Sequence, residues 1–405
     1  MQTTETKMLI GIVGKPSAGK STFFKALTLA EVEIANYPFT TIKPNHGTGF
    51  VKVECADKDF NTKCNPRFGY CTNSKRFVPV ELLDVAGLVP GAHEGKGMGN
   101  QFLDDLNQAD VLIHIIDASG STNEKGEAVE PLSYNPANDI KFLEHELDMW
   151  YLRLIQKGWD RFARGVNQEK PELHKAIAKQ LSSLRVTEEL MKEVIEKLSP
   201  DKDIMKWDRE ILLKIATELR KETKPMLIAC NKIDVNGAEK NFEKLKEQFP
   251  DRILVACSAE SELALKGAAR AGIIDYIPGE SDFAARDNPK INEKQKAALG
   301  FIKKNVLGNY GSTGVQEVLD KAVFGLLGMI AIFPGGVGKL EDSEGRRLPD
   351  CFLMPSKSTA LDFAFKLHTD FGKNFIKAID VRTKKAVGKD YLLKNRDVVE
   401  IITGK

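Results

Sequence analysis

Gly14-Lys15-Pro16-Ser17-Ala18-Gly19-Lys20-Ser21 fits the pattern G-x-x-x-x-G-K-[ST], with Gly14, Gly19, Lys20 and Ser21 in the required places. The apolar run Met8-Leu9-Ile10-Gly11-Ile12-Val13 precedes it, and the helix-like Ser21-Thr22-Phe23-Phe24 follows. A strand, a glycine-bearing loop and a helix start in that order make a cradle for phosphate. Backbone N–H groups turn inward, and the helix N-terminus adds partial positive charge. The whole segment from Gly14 to Thr22 is therefore the expected phosphate-binding element, Lys15, Pro16, Ser17 and Ala18 included. Lys20 is expected to reach the β- and γ-phosphates of a nucleoside triphosphate, and the Ser21 hydroxyl to ligate Mg2+. The bland alternative, a chance glycine-rich turn, does not account for both flanking elements.

Further along, Val78-Pro79-Val80-Glu81-Leu82-Leu83 reads as a strand ending at Asp84, and Val111 to Ile116 as another ending at Asp117. Both are apolar on nearly every position, the pattern of buried parallel strands. From about 139 to 221 the chain is charged, poor in glycine and periodic, as in Ile177, Leu181, Leu184 and in Leu190, Val194, Leu198. That predicts a helical insertion, read as a hairpin of long helices. The α/β pattern resumes at Pro225 to Cys230 and Ile253 to Cys257. Helical patterns over Glu293–Val306 and Gly314–Leu327 lead to a last module. There Cys351–Met354, Ile376–Val381 and Val398–Ile402 read as short strands around a helix from Thr359 to Leu367, which suggests a β-grasp. The expected organisation is an α/β nucleotide domain with a mainly parallel sheet in two parts, 1–138 and 222–278. A helical arm at 139–221 is inserted between them. A helical connector at 279–329 and a β-grasp domain at 330–405 follow.

Composition is that of a soluble globular protein: 405 residues, 42% hydrophobic and 29% charged. The net charge is +2, yet residues 346–405 hold 13 Lys/Arg against 7 Asp/Glu. A basic C-terminal segment predicts contact with a polyanion such as RNA, a merely solvated surface being the bland alternative. Arg382, Lys384 and Lys385 are its densest cluster. Met1 to Lys7 is polar and reads as no signal peptide. The apolar run Phe324 to Phe333 is too short to span a bilayer. A cytoplasmic protein without membrane contact is expected. The six cysteines then read as free thiols, with Cys230 and Cys257 in apolar, core-like runs. Cys55, Cys64 and Cys71 differ: they sit in a polar, turn-rich insertion, Val53 to Arg76, with His46 upstream as a conceivable fourth metal ligand. Their spacings of nine and seven lack the tight C-x2–4-C pairing of structural zinc sites. An insertion that happens to carry thiols is the simpler reading.

Two more segments bear on chemistry. Asp84-Val85-Ala86-Gly87 is D-x-x-G at a strand end. Its carboxylate is expected to hold Mg2+ through a water, and the Gly87 N–H to sense the γ-phosphate. Loss of that phosphate would remove the anchor of the loop. Upstream, Asn36-Tyr37-Pro38-Phe39-Thr40-Thr41 offers a hydroxyl to Mg2+, Thr41 being the better candidate and Thr40 the alternative; ordinary turn hydroxyls are the bland reading. Asn231-Lys232-Ile233-Asp234 leaves a core strand where a base can lie. The Asp234 carboxylate would accept from guanine N1–H and the exocyclic amine, whereas adenine would turn a lone pair toward it. An unmatched buried polar contact costs about 1–3 kcal/mol, and sites built on such contacts discriminate strongly. Lys232 would lay its methylenes along the base, and backbone N–H groups of Ser258-Ala259 would close over it. GTP and GDP are the expected nucleotides.

These elements, with Asp84–Leu88 continuing into Val89-Pro90-Gly91-Ala92-His93-Glu94-Gly95-Lys96-Gly97-Met98-Gly99, closely resemble the YchF subfamily of Obg-like GTPases, most of all its archaeal branch. The resemblance covers nearly the whole chain. It implies a split G domain, a helical arm and a C-terminal TGS domain of β-grasp type. It also implies a ribosome or ribosomal RNA as partner, met by a basic groove of the TGS domain and arm. Many bacterial and eukaryotic members lack N-K-x-D and prefer ATP; Asn231, Lys232 and Asp234 are present here, so GTP is expected.

Leu88 stands where Ras-like proteins carry a water-orienting Gln, and a leucine cannot orient water. Intrinsic hydrolysis is slow even in Ras, on the order of 10⁻⁴ s⁻¹, so a slow GTPase acting as a molecular switch is expected. Candidate catalytic residues are Lys20, Thr41 and Gly87, with His93 in the glycine-rich loop and His114 in an apolar strand as substitutes for the Gln. His114 reads more simply as a satisfied core histidine. Ser17 stands where potassium-stimulated relatives commonly place Asn; its oxygen admits potassium, but nothing else in the sequence supports it. Two other readings compete. A kinase lacks any marked acceptor site and gives N-K-x-D no role. A nucleotide-gated binding module with negligible turnover is kept open by Leu88.

Overall fold

The computed structural model describes residues 8–29, 45–85, 105–286 and 291–404. The strands among them, in chain order, are β1 (Leu9–Val13), β2 (His46–Glu54), β3 (Tyr70–Thr72), β4 (Lys75–Asp84), β5 (Val111–Asp117), β6 (Met226–Asn231) and β7 (Leu254–Ala256). They continue with β8 (Ile274–Asp275), β9 (Ala284–Ala285), β10 (Met329–Pro334), β11 (Phe352–Pro355), β12 (Phe375–Asp380), β13 (Lys385–Val387) and β14 (Val398–Thr403). The chain divides into two compact units, Met1–Thr22 with Leu82–Ser258, and Phe23–Glu81 with Ala259–Lys405.

In the first unit the end of β4 lies beside β1, followed by β5, β6 and β7. The β1–β5, β5–β6 and β6–β7 pairs are parallel, in registers such as Ile12 with Ile113, Ile116 with Cys230, and Ala229 with Val255. β1 and β5 are buried at every position, which is why their sequences are apolar throughout rather than alternating. A parallel sheet places its strand ends together on one edge, where an open α/β fold receives its ligand. Val13, Asp84, Asp117 and Asn231 are those ends.

The arm is five separate helices, Ala137–Gln156, Trp159–Glu169, Leu173–Gln180, Glu188–Leu198 and Arg209–Thr223, rather than a hairpin of long ones. The breaks have local causes. Gly158 takes φ +78, and Lys170 turns left-handed at φ +48 ahead of Pro171. Ser199 does the same ahead of Pro200. Thr187 and Asp208 cap the last two helices by accepting from the N–H of Leu190 and Ile211. The arm's apolar faces share one core with the sheet: Leu143, Leu147, Trp150 and Tyr151 belong to the same buried cluster as Leu112 and Val85. Each such side chain contributes about 1.5–3 kcal/mol by its removal from water.

The second unit holds a β3–β4 hairpin, antiparallel with Cys71 opposite Arg76, preceded by β2; sequence reading missed both β2 and β3. Its C-terminal sheet has the order β11-β10-β14-β12-β13. β10 and β14 are parallel, and the other pairs antiparallel. One helix, Ala360–Leu367, packs Phe363 among Ile330, Ile332, Met354, Ala378 and Val399. It starts at a capping box made by Thr359 and Asp362. This is the β-grasp arrangement expected from the short strands. The helical patterns before it form Glu293–Phe301 and Val315–Asp320, each running on into a π-helical turn.

Candidate nucleotide-binding site

β1 delivers the chain to Gly14, which lies so close to β5 that an added Cβ would stand 2.5 Å from the Ile115 carbonyl oxygen. The loop then turns through two left-handed residues, Ser17 at φ +61 and Gly19 at φ +92, before α1 (Lys20–Thr28) begins. Only glycine takes the second position without strain, and an added Cβ there would lie 2.2 Å from Asn231 Nδ2. Pro16, Ser17 and Ser21 are exposed, Thr22 is half-buried, and Ala18 is buried.

Lys20 folds back over the strand ends. Its Nζ donates to the Val85 carbonyl at 2.7 Å and lies 3.8 Å from Asp84 Oδ1. Burial lowers the ammonium's pKa and raises that of the Asp84 carboxyl, each offset in part by the other's charge. The Lys15 side chain goes elsewhere. It is buried, donates to the Thr122 carbonyl at 2.8 Å, pairs with Asp139 at 2.9 Å, and lies 3.9 Å from the centre of the Tyr134 ring. That leaves its backbone N–H, not its ammonium, for the expected phosphate role.

At the end of β6, Asn231 Nδ2 donates 2.9 Å to the carbonyl of Ala18. The segment meant to read a base is therefore bonded to the segment meant to hold phosphate. Lys232 sits left-handed at φ +63 and its Nζ lies 2.9 Å from Asp117 Oδ2. Asp234 is half-buried and forms no ion pair among the described residues. Ile233 N–H donates to the Cys257 carbonyl, which brings the end of β7 beside this loop. Ser258 is fully buried there. Ala259 opens the Ala259–Arg270 helix of the second unit.

Asp117 is a residue that sequence reading passed over. Fully buried, it accepts from the Ser119 N–H at 3.1 Å and Oγ at 2.5 Å, from Ser121 Oγ at 3.0 Å, from Thr122 Oγ1 at 2.8 Å, and from Lys232. Burial works to raise its pKa, but these donors hold it below the usual carboxylate value. Strand-final Asp117 followed by Ser119, Ser121 and Thr122 was the available signal. His114, on β5 opposite Val13, is 1% exposed, and its Nδ1 has no hydrogen-bond partner. Burial, with the Lys15 charge, pushes its pKa down to about 3, so it is a neutral core imidazole, though not a satisfied one. Thr40, Thr41, Gly87, Leu88 and His93 lie outside the described residues.

Three family models match the chain: "50S ribosome-binding GTPase" over residues 9–144, "Obg-like GTPase YGR210-like, G4 motif-containing domain" over 229–336, and "TGS domain" over 339–403. The chain is 49% identical to an uncharacterized GTP-binding protein, MJ1332, of Methanocaldococcus jannaschii, over 98% of this chain and 99% of that one. It belongs to the YchF subfamily of Obg-like GTPases. Among solved structures, a GTP binding protein from Pyrococcus horikoshii OT3 superposes with a TM-score of 0.76 at 38% identity, covering 98% of this chain and 100% of that one. The ribosome-binding ATPase YchF of Escherichia coli O157:H7 is 26% identical over 97% of this chain and 98% of that one. The chain is thus a P-loop protein of the YchF type, with a G domain, a helical arm and a TGS domain. No helix among the described residues is long and apolar enough to cross a membrane.

Proposed function

We propose that this YchF-type protein binds GTP with Mg2+, hydrolyses it slowly to GDP and phosphate, and acts as a nucleotide-controlled switch on the ribosome or another RNA assembly. The observation that carries the nucleotide reading is the 2.9 Å bond from Asn231 Nδ2 to the Ala18 carbonyl. It sets Asp234, free of any ion pair among the described residues, at a fixed reach from the phosphate loop. In this reading Gly14 to Thr22 wrap the phosphates, and Lys20 leaves the Val85 carbonyl to meet the β- and γ-phosphates. Ser21, Thr41 and Asp84 serve Mg2+. Asp234 selects guanine, Lys232 lies along the base, and Ser258-Ala259 covers it. The acidic Asp84 and the hydroxyl of Ser21 are hard oxygen donors, the set that suits Mg2+ held by one or two protein groups and by phosphate.

Slow turnover follows from Leu88, which offers no group to orient water; His93, five residues on in the glycine-rich segment, is the substitute. The ribosomal reading draws on the bacterial relatives, which are ribosome-binding ATPases, and on charge. The arm has a cavity of about 980 Å³ bordered by Arg161, Arg164 and Arg209 around Trp159 and Trp207, whose rings stack at 5.8 Å. Both tryptophans are buried, so what the cavity offers is its guanidinium groups, which suit phosphate. In the TGS domain Lys384 and Lys385 project at the β12–β13 turn, but Arg382 is committed to Asp59 at 2.6 Å, so the basic cluster is two residues rather than three.

The test is the affinity for GTP, GDP and ATP with Mg2+, on the wild type and on Asp234→Ala. Guanine preference that the substitution lowers by roughly ten- to hundred-fold supports the reading. Equal ATP affinity, indifferent to Asp234, overturns the substrate and places the chain with the relatives described as ATPases.

A further inference from the structure

We propose that Cys55, Asp57, Cys64 and Cys71 form a structural zinc site in the insertion between β2 and β4. One ligand atom from each lies within 4.8 Å of all the others. The Cys55 and Cys64 sulfurs are 3.5 Å apart, and the Cys71 sulfur is 3.9 Å from Asp57 Oδ2. A tetrahedral zinc with Zn–S of about 2.3 Å sets its sulfurs about 3.8 Å apart, so one ion is seated when the Cys55 and Cys64 sulfurs part slightly and the wider pairs close.

Asp57 is the independent observation. It is 4% exposed, and its Oδ1 is buried with no hydrogen-bond partner. Oδ2 accepts only long bonds, from the Cys64 N–H at 3.5 Å and the Cys71 thiol at 3.9 Å; a carboxylate so weakly compensated in such a place is costly, and a cation between it and three sulfurs removes the cost. Thiolate ligands favour zinc, copper(I) or iron–sulfur clusters. The hard carboxylate argues against copper(I), and the tight grouping has room for a single ion. Four protein ligands leave no open position, which marks a structural rather than a catalytic site. Arg76, 1% exposed, with its Nε unpartnered and opposite Cys71 in the hairpin, supplies positive charge to a centre carrying three thiolates and a carboxylate.

The local backbone explains how distant cysteines meet. Cys55 precedes the 3-10 turn Ala56–Phe60, which carries Asp57 and ends at left-handed Asn61. Asn73 and Ser74, both left-handed, reverse the chain between β3 and β4, and the Ser74 carbonyl accepts from the Cys55 N–H at 2.8 Å. His46 is not part of the group: its Nδ1 faces Glu81 Oε1 at 3.1 Å. The zinc would hold a loop with a second task. Within the same unit, Asn65 and Arg67 N–H donate to the carbonyls of Arg347 and Pro349, and Asp59 pairs with Arg382 and Arg396. The metal would therefore fix the loop that grips the TGS domain.

The test is the metal content of the untagged full chain grown with zinc, read by native mass spectrometry and by release with a mercurial thiol reagent. One zinc per chain is expected, absent from Cys64→Ser and Asp57→Asn. Cobalt substitution should give the intense absorption of a tetrahedral thiolate centre, a readout that does not depend on how the variants fold. A wild-type chain that takes up no zinc, or that carries a Cys55–Cys64 disulfide, overturns the proposal. Cys351, close enough to feel the charges of Cys55 and Cys64, is the rival fourth ligand: zinc lost in Cys351→Ser but kept in Asp57→Asn overturns the assignment of Asp57.

Discussion

Lys15 Nζ stands 2.9 Å from Asp139 Oδ2, so a buried ion pair ties the phosphate loop to the first turn of the arm's first helix. Both side chains are at most 7% exposed. The Tyr134 hydroxyl donates to the other Asp139 oxygen at 2.8 Å. Movement of either the loop or the helix base has to carry the other along or break this pair.

Removing one partner should be costly. Asp139→Ala leaves the Lys15 ammonium buried with only the Thr122 carbonyl and the Tyr134 ring, and should destabilise the first unit by about 3–5 kcal/mol. The double variant Lys15→Met/Asp139→Leu should recover most of that loss, because two apolar side chains need no compensation. Urea unfolding followed by tryptophan fluorescence measures both, since all three tryptophans, Trp150, Trp159 and Trp207, lie in that unit.

Gly19→Ala should abolish tight nucleotide binding while the chain stays folded. The new methyl meets Asn231 Nδ2 at 2.2 Å, and φ +92 is strained for alanine, by about 1–3 kcal/mol. Asn231→Ala removes the bond to Ala18 along with the contact its Oδ1 receives from the Cys257 thiol at 3.9 Å, and should cost at least about 1 kcal/mol, or roughly five-fold in GTP affinity. Calorimetric titration with GDP separates them; equal affinity of Gly19→Ala and wild type would refute the account of the loop.

The buried imidazole of His114 makes stability depend on acid. Its folded pKa is depressed to about 3, whereas an unfolded histidine titrates near 6.5. Below about pH 6.5 the unfolded chain gains a proton that the folded one refuses, so stability is present above that value and falls with pH by up to about 1.4 kcal/mol per unit. His114→Leu should flatten that fall. Unfolding midpoints measured across the range from neutral to mildly acid decide the point.

If Lys384 and Lys385 contact phosphate, their replacement by alanine should weaken RNA binding across sequences and shallow its salt dependence by about one to two released ions. Binding that is indifferent both to salt and to these residues would leave the β12–β13 turn as solvated surface.

The phosphate loop was legible because its geometry has few sequence solutions: one left-handed glycine and one pressed against Ile115. The buried parallel strands were legible because they are apolar throughout. β2 was not, since His46-Gly47-Thr48-Gly49 opens it with two glycines and no alternation. Periodicity showed that residues 139–221 are helical but not where the helices break, because Gly158 and left-handed Lys170 and Ser199 interrupt the chain without ending the pattern. Lys15 with Asp139, and Asp117 with Lys232, were beyond reading, for each pair is more than a hundred residues apart in sequence and is joined only by the sheet's crossovers. The switch-region residues, Thr41, Gly87 and His93, rest on motif alone.

Arg76 donates through Nη1 and Nη2 to the carbonyls of Leu348 and Pro349, at 3.1 and 2.6 Å. A chain stopped before residue 348 would take both acceptors from this guanidinium and uncover the β3–β4 hairpin that carries it. Truncating the C-terminal domain would then be felt first near the N-terminus, as aggregation or unfolding around Arg76.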